Sequence, residues 1–195
     1  MNTNKIKEKI VSGKAVAGVV MADNSLTTLE LLALSGFDFI FIDCEHGPMT
    51  VESVSLMVMA AESRGVTTLV RTPSNEEEMI MRYMDTGAGG IIIPGVDSAE
   101  TAKAAVQAVK YQPWGRRGLA GVRAADYGLT RPLSEYISVA NQATMVFGVV
   151  ESMKGVENIY DILDVDGFDG VFMGTNDLSN SLGMSGQTNQ PDVLK

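Results

Sequence analysis

Short apolar runs rich in β-branched and aromatic residues recur along the chain at Val16–Val20, Phe39–Ile42, Thr67–Val70, Gly90–Ile93, Met145–Val150 and Gly170–Met173. Most lack polar alternation, the pattern of strands buried on both faces in a parallel sheet. Between them, apolar positions return at helical spacing. Ser25 predicts an N-cap for a helix carrying Leu26, Leu29, Leu32 and Ala33 and stopping near Gly36. Thr50 does the same for a Met- and Val-rich helix ending at Arg64-Gly65. Ser74 with Glu77 reads as a capping box for a helix that ends near Gly87. Asp97 or Ser98 starts an Ala-rich helix to Lys110, and 132–141 and 154–163 read as two more. Met57, Met59, Met79, Met81 and Met84 sit at helical spacings and read as core.

Strand then helix, repeated, predicts βαβ units and a parallel sheet. The residues that close each run refine this. Asp23, Asp43, Arg71, Pro94-Gly95, Glu151 and Gly174–Asp177 follow the six runs in turn. Polar residues at nearly every strand end favour a barrel over an open sheet with one switch point. The expected fold class is α/β, of (β/α)8 barrel type. Such a barrel takes about 250 residues, and the sixth run ends near residue 173 of 195. The expectation is therefore one domain over 1–195, truncated after the sixth strand and lacking its last two βα units. Its open edges would invite pairing unless a partner chain covers them.

Charge narrows the function classes. A net charge of −9 and a pI near 4.6 argue against a nucleic-acid or anionic-membrane footprint. One cysteine excludes an intrachain disulfide framework and suggests a reducing compartment. The polar start Met1–Lys9 shows no signal peptide, and no apolar run approaches the roughly 20 residues of a membrane helix. A cytoplasmic protein is expected.

Asp43-Cys-Glu-His46-Gly ends the second run abruptly and contains the chain's one histidine. His46 fits a general base oriented by Asp43, or a partly exposed loop histidine. Arg71 fits a forked donor to an oxyanion or carboxylate, or an ion pair with Asp43 or Glu45. Glu151 and Asp177 suit a hard divalent ion such as Mg²⁺ or Mn²⁺, or cap helices. The turn Gly174-Thr175-Asn176-Asp177 offers N–H groups to a substrate carboxylate. Arg116, Arg117 and Arg123 read as a solvated basic loop, or as a binding region for the far end of an acidic substrate. Cys44 reads as a small buried filler.

Together, Phe37–Gly47, Val70-Arg71-Thr-Pro, Gly90-Ile-Ile-Ile-Pro94, Tyr111-Gln-Pro-Trp-Gly-Arg-Arg-Gly118, Val150-Glu151-Ser and Gly170–Ser179 resemble one family. It is the metal-dependent (class II) 2-oxo acid aldolases of the 4-hydroxy-2-oxoheptanedioate and 2-dehydro-3-deoxyglucarate aldolase type. The resemblance implies a divalent metal, Mg²⁺ or Mn²⁺ with Co²⁺ as a further candidate, held by Glu151 and Asp177. Pyruvate would chelate it, with its carboxylate on the backbone of Gly174–Asp177. Arg71 would stabilise the enolate oxygen, and His46 with Asp43 would serve the acid–base step at the C4 hydroxyl. The implied partners are a small 2-oxo acid and an aldehyde, with a homo-oligomer expected. Two departures stand out: Val149 replaces a glutamine common in relatives, and relatives continue beyond Lys195. The rival readings are a non-catalytic binding or assembly protein and an acyl-CoA-type carbon–carbon lyase of the same superfamily.

Overall fold

A computed structural model describes residues 4–194. Six parallel strands form one sheet in sequence order: β1 (Gly18–Met21), β2 (Phe39–Asp43), β3 (Thr67–Arg71), β4 (Gly90–Ile93), β5 (Met145–Val150) and β6 (Gly170–Met173). Each strand pairs with the next, with β2 and β3 in register from Phe39 opposite Thr67 to Asp43 opposite Arg71. The runs read from sequence match these spans closely. The fold is a six-stranded α/β barrel type.

The sheet curls. Phe172 on β6 meets Phe41 on β2 with ring centroids 5.3 Å apart, although three strands separate them in the sheet order. Side chains alternate along every strand. Phe39, Phe41, Leu69, Ile92, Met145, Phe147 and Val149 fill the concave side. Ile40, Ile42, Val70, Ile91, Ile93, Val146 and Val150 face the helices and form the larger core. That division dictates which strand-end residues point inward.

The helices are α2 (Leu26–Leu34), α3 (Val51–Ser63), α4 (Glu77–Asp85), α5 (Ala99–Val109) and α6 (Leu133–Ala143). Ser25, Thr50 and Ser98 cap α2, α3 and α5 with their hydroxyls, as their types require. The capping box at Ser74 does not form. Glu76 occupies the cap of α4 without a side-chain bond, and the Ser74 hydroxyl accepts from the Glu76 N–H instead. The helix read over 154–163 is two short helices, α7 (Met153–Glu157) and α8 (Ile159–Leu163), broken at Asn158. The Asn158 amide leaves the helix to donate to the Asp97 carbonyl at 2.9 Å. After β6 come α9 (Thr175–Ser181) and α10 (Pro191–Leu194).

An early helix, α1 (Lys5–Val11), was not legible in the polar N-terminal sequence. It closes the end of the barrel where the strands begin. Ile6 enters the concave core, and the Asn4 amide donates to the carbonyls of Gly89 and Ala143, both at 2.9 Å.

The arginine-rich loop lies at that same end, because it follows α5 and precedes β5. Arg117 is excluded from solvent, paired with Asp85 at 2.6 Å and set over the Tyr111 ring. Arg123 bonds the Thr86 carbonyl and Glu62, and Arg116 pairs with Glu77. Arg117 is thus not solvated. None of the three can serve the opposite end of this barrel, so they fasten the loop to α3 and α4.

Lys110 anchors the insertion from the other side. Its buried ammonium donates to the carbonyls of Asn141 and Thr144 and to the Thr144 hydroxyl at 2.6–3.1 Å. Lys110→Met orphans these acceptors and should cost about 1–3 kcal/mol in chemical denaturation. Burial draws the lysine's pKa down to about 8 from 10.5. Between those values the unfolded chain binds more protons, so this contribution rises with pH. The wild-type minus variant difference should therefore be larger at pH 9.5 than at 7.5.

Candidate active site

Strand parity places the site. Asp43 continues the inward row of Phe39 and Phe41, Arg71 that of Leu69, and Glu151 that of Phe147 and Val149. All three sit at C-terminal ends of parallel strands, and so at one rim of the barrel.

Asp43 is almost fully buried and takes Arg71 through a two-pronged grip, Nε to Oδ1 at 2.9 Å and Nη2 to Oδ2 at 2.7 Å. The same Oδ1 accepts the backbone N–H groups of Glu45 and His46 at 3.1 and 3.4 Å. Burial raises the Asp43 pKa, but the Arg71 bonds and charge outweigh it, and the net direction is down. Burial likewise lowers that of Arg71, and the bonds and charge of Asp43 reverse it. A fixed ion pair results. The third corner of the guanidinium, Nη1, lies 2.9 Å from Glu45 Oε2.

His46 stands beside this cluster with its side chain 64% exposed. Its imidazole does not pair with Asp43, because Arg71 and two backbone N–H groups occupy that carboxylate. Nε2 instead lies 3.9 Å from Glu45 Oε2. Cys44 points the other way, into the core, where burial pushes its thiol up to about 12.

Glu151 is no helix cap. Ser152 caps α7 through its hydroxyl, while Glu151 reaches across to accept the Gly95 N–H at 2.8 Å. Gly174 backs it closely. A Cβ on Gly174 would lie 2.8 Å from the Glu151 Cβ and 3.1 Å from Oε2, so only glycine allows this approach. Burial raises the Glu151 pKa first; the Gly95 bond and the charge of Arg71 oppose it, the charges of Glu45 and Asp177 add to the rise, and the net direction is up. Asp177 lies in the first turn of α9, exposed, behind a Gly174 cap that makes no side-chain bond. The N–H groups of Thr175, Asn176 and Asp177 therefore have no capping side chain.

Among the described residues no three His, Cys, Asp or Glu side chains converge as a ready-made metal cage. What the rim offers is two carboxylates, one of them held at a fixed position by the Gly95 N–H and partly withdrawn from water. That set fits a hard cation which takes its remaining ligands from water and substrate, as Mg²⁺ does.

Glu45, read from sequence only as a candidate ion-pair partner of Arg71, also approaches His46. Its proximity to both Arg71 and His46 arises from the tight turn after β2, which no periodicity reveals.

The chain is similar to known proteins over nearly its whole length. The family model described as HpcH/HpaI aldolase/citrate lyase matches residues 17–195. A hydroxypyruvate/pyruvate aldolase of Roseobacter denitrificans is 38% identical over 97% of this chain and 74% of its own length. A 2-keto-3-deoxy-L-rhamnonate aldolase of Escherichia coli is 33% identical over 99% and 72%. The crystal structure of an HpcH/HpaI aldolase from Desulfitobacterium hafniense superposes with a TM-score of 0.90 at 36% identity, covering 97% of this chain and 73% of that one.

Proposed function

The chain belongs to the HpcH/HpaI aldolase/citrate lyase family, and from that premise we propose a divalent-metal-dependent, reversible retro-aldol cleavage. The substrate class is a 4-hydroxy-2-oxo acid, and the products are pyruvate or a close 2-oxo acid and an aldehyde. The observation that carries this reading is a half-buried Arg71, gripped at both Nε and Nη2 by Asp43, on the same rim as Glu151, whose carboxylate is fixed by the Gly95 N–H. Carbon–carbon cleavage beside a ketone needs both, a fixed donor for developing oxyanion charge and a seat for a Lewis acid.

Glu151 and Asp177 would hold the cation. A bound Mg²⁺ or Mn²⁺ supplies polarisation of the substrate's keto oxygen. The N–H groups of Thr175, Asn176 and Asp177 receive the substrate carboxylate, while that of Gly174 is held by the Val150 carbonyl at 2.9 Å. His46 takes the proton of the C4 hydroxyl as the C3–C4 bond breaks. The bonding pair moves onto the C2 oxygen as an enolate, and the aldehyde leaves. Arg71 donates to that oxygen with the N–H bonds its carboxylate partners leave free. Asp43 keeps the guanidinium aimed. Protonation at C3 then yields the 2-oxo acid.

The proposal extends to a homo-oligomer working in the cytoplasm. Leu31 and Leu34 on α2 and Leu56 and Met59 on α3 are exposed on neighbouring helices, a face that a second copy would cover. Among the described residues no helix is long and apolar enough to cross a membrane.

The direct test is release of pyruvate from a 4-hydroxy-2-oxo acid, with Mg²⁺ or Mn²⁺, after EDTA, and with and without CoA. Metal-restored release without CoA is expected. Release that EDTA leaves untouched, or that requires CoA, would overturn the reading.

A further inference from the structure

Glu45 stands between the two groups that the lyase reading sets to work. Its Oε2 lies 2.9 Å from Arg71 Nη1 and 3.9 Å from His46 Nε2. We propose that Glu45 is a positioning residue that fixes the tilt of Arg71 and holds the His46 imidazole at the site, an inference that rests on that reading.

The guanidinium is planar and presents five N–H bonds in a rigid fork. Asp43 grips the edge formed by Nε and Nη2. The Phe41 ring lies under one face, its centroid 5.6 Å from Cζ, but neither it nor a carboxylate on one edge fixes the remaining corner. Glu45, set at that corner, does. Its Oε2 is shielded from solvent and makes no aligned hydrogen bond, so the contact with Nη1 is one of charge and place. A place-holding charge of this kind constrains Nη1 without using up its directional N–H bonds.

The same carboxylate is the side chain that ties His46 to the rim. The backbone supports the arrangement: the Glu45 and His46 N–H groups fold back onto Asp43 Oδ1. Asp43, Arg71, Glu45 and His46 thereby close a ring of contacts. When His46 takes a proton in cleavage it becomes cationic, and Glu45 then faces two positive groups. That attraction strengthens only as the reaction proceeds, so it acts on kcat more than on KM. The charged groups around His46 are Asp43 and Glu45 on its own turn and Arg71 on β3. Glu151 on the β5 end is coupled to Glu45 through charge.

The test is Glu45→Gln and Glu45→Asp in the full chain loaded with Mn²⁺. Glu45→Gln should lower kcat by about 10–100-fold, less than the roughly 10²–10⁴-fold that an acid–base group itself supplies, with KM within about threefold. Glu45→Asp restores the charge on a shorter arm and should recover part of the loss. A second readout needs no turnover. The chain has one histidine, so a tag-free, metal-free sample gives a single imidazole resonance, and it should shift and broaden in Glu45→Gln, where the ring loses the carboxylate beside Nε2. A Glu45→Gln enzyme with wild-type kcat, or with an unmoved imidazole resonance, overturns the proposal. If Glu45→Gln does not fold, a Glu45→Asp enzyme indistinguishable from wild type overturns it equally. Should the wild type itself turn nothing over, the lyase reading fails, and the His46 resonance alone decides the role of Glu45.

Discussion

Glu151→Gln should abolish metal-supported cleavage, with kcat/KM reduced by at least about 10³-fold, a loss of roughly 4 kcal/mol in transition-state stabilisation. The substitution is chosen for what it keeps. Glutamine has nearly the same volume, and its carbonyl oxygen can still accept the Gly95 N–H that fixes Glu151 at 2.8 Å. The close approach of Gly174 is undisturbed, because no atom is added at Cβ. What disappears is the negative charge. That charge is held in a setting that already resists it, since burial and the charges of Glu45 and Asp177 raise the Glu151 pKa. Neutralisation should therefore leave folding intact or slightly improved while removing the seat for a cation. Mn²⁺ binding followed by calorimetry, together with pyruvate release, checks both halves. Asp177→Asn should weaken binding in parallel, from the more exposed side. Unchanged turnover in both variants would reject these two carboxylates as the metal ligands.

Much of the fold was legible because one periodicity decides it. Buried parallel strands read as apolar runs, and the two-residue alternation within them continues past the strand ends. The parity that sends Phe39 and Phe41 into the barrel also sends Asp43 there, and the same holds for Leu69 with Arg71 and for Phe147 with Glu151. Hydroxyl caps were legible where a Ser or Thr directly preceded an apolar repeat, as at Ser25, Thr50 and Ser98. Ser74 misled because two further residues intervene before α4, and its hydroxyl is used within the loop. The helix α1 was hidden because its burial rests mainly on Ile6 and on the Asn4 amide, neither of which makes a periodic stripe. Arg117 was hidden for a different reason. Its counter-charge Asp85 is 32 residues away in sequence, and long-range pairing leaves no local signal. At the site, sequence offered Arg71 as an ion-pair partner of Asp43 or Glu45, and the fold forms both pairs. Sequence also oriented His46 by Asp43, whereas the imidazole lies 3.9 Å from Glu45.

Arg71→Lys should lower kcat by about 10²–10³-fold, the range for loss of one preorganised oxyanion donor, with Mn²⁺ affinity unchanged. Lysine keeps the charge, so any loss must come from geometry. The ammonium is a compact point charge that cannot span both Asp43 oxygens, nor reach Glu45 from the same position. Asp43 would keep a cationic neighbour and stay ionised. Its folded-state pKa is lowered from 3.8, so the stability it contributes is present above that value and lost only as pH falls through the folded one. At neutral pH the variant should therefore remain folded, and circular dichroism should match wild type. Two reactions then separate the roles. Exchange of the pyruvate methyl protons with D₂O needs the enolate but no C4 hydroxyl, whereas cleavage needs both. Arg71→Lys should depress exchange and cleavage together, because both pass through negative charge on the C2 oxygen. His46→Ala should depress cleavage more than exchange, because its proposed proton comes from the C4 hydroxyl. If Arg71→Lys spares exchange while cleavage falls, Arg71 acts on the aldehyde side of the substrate, and its assignment to the enolate oxygen is wrong.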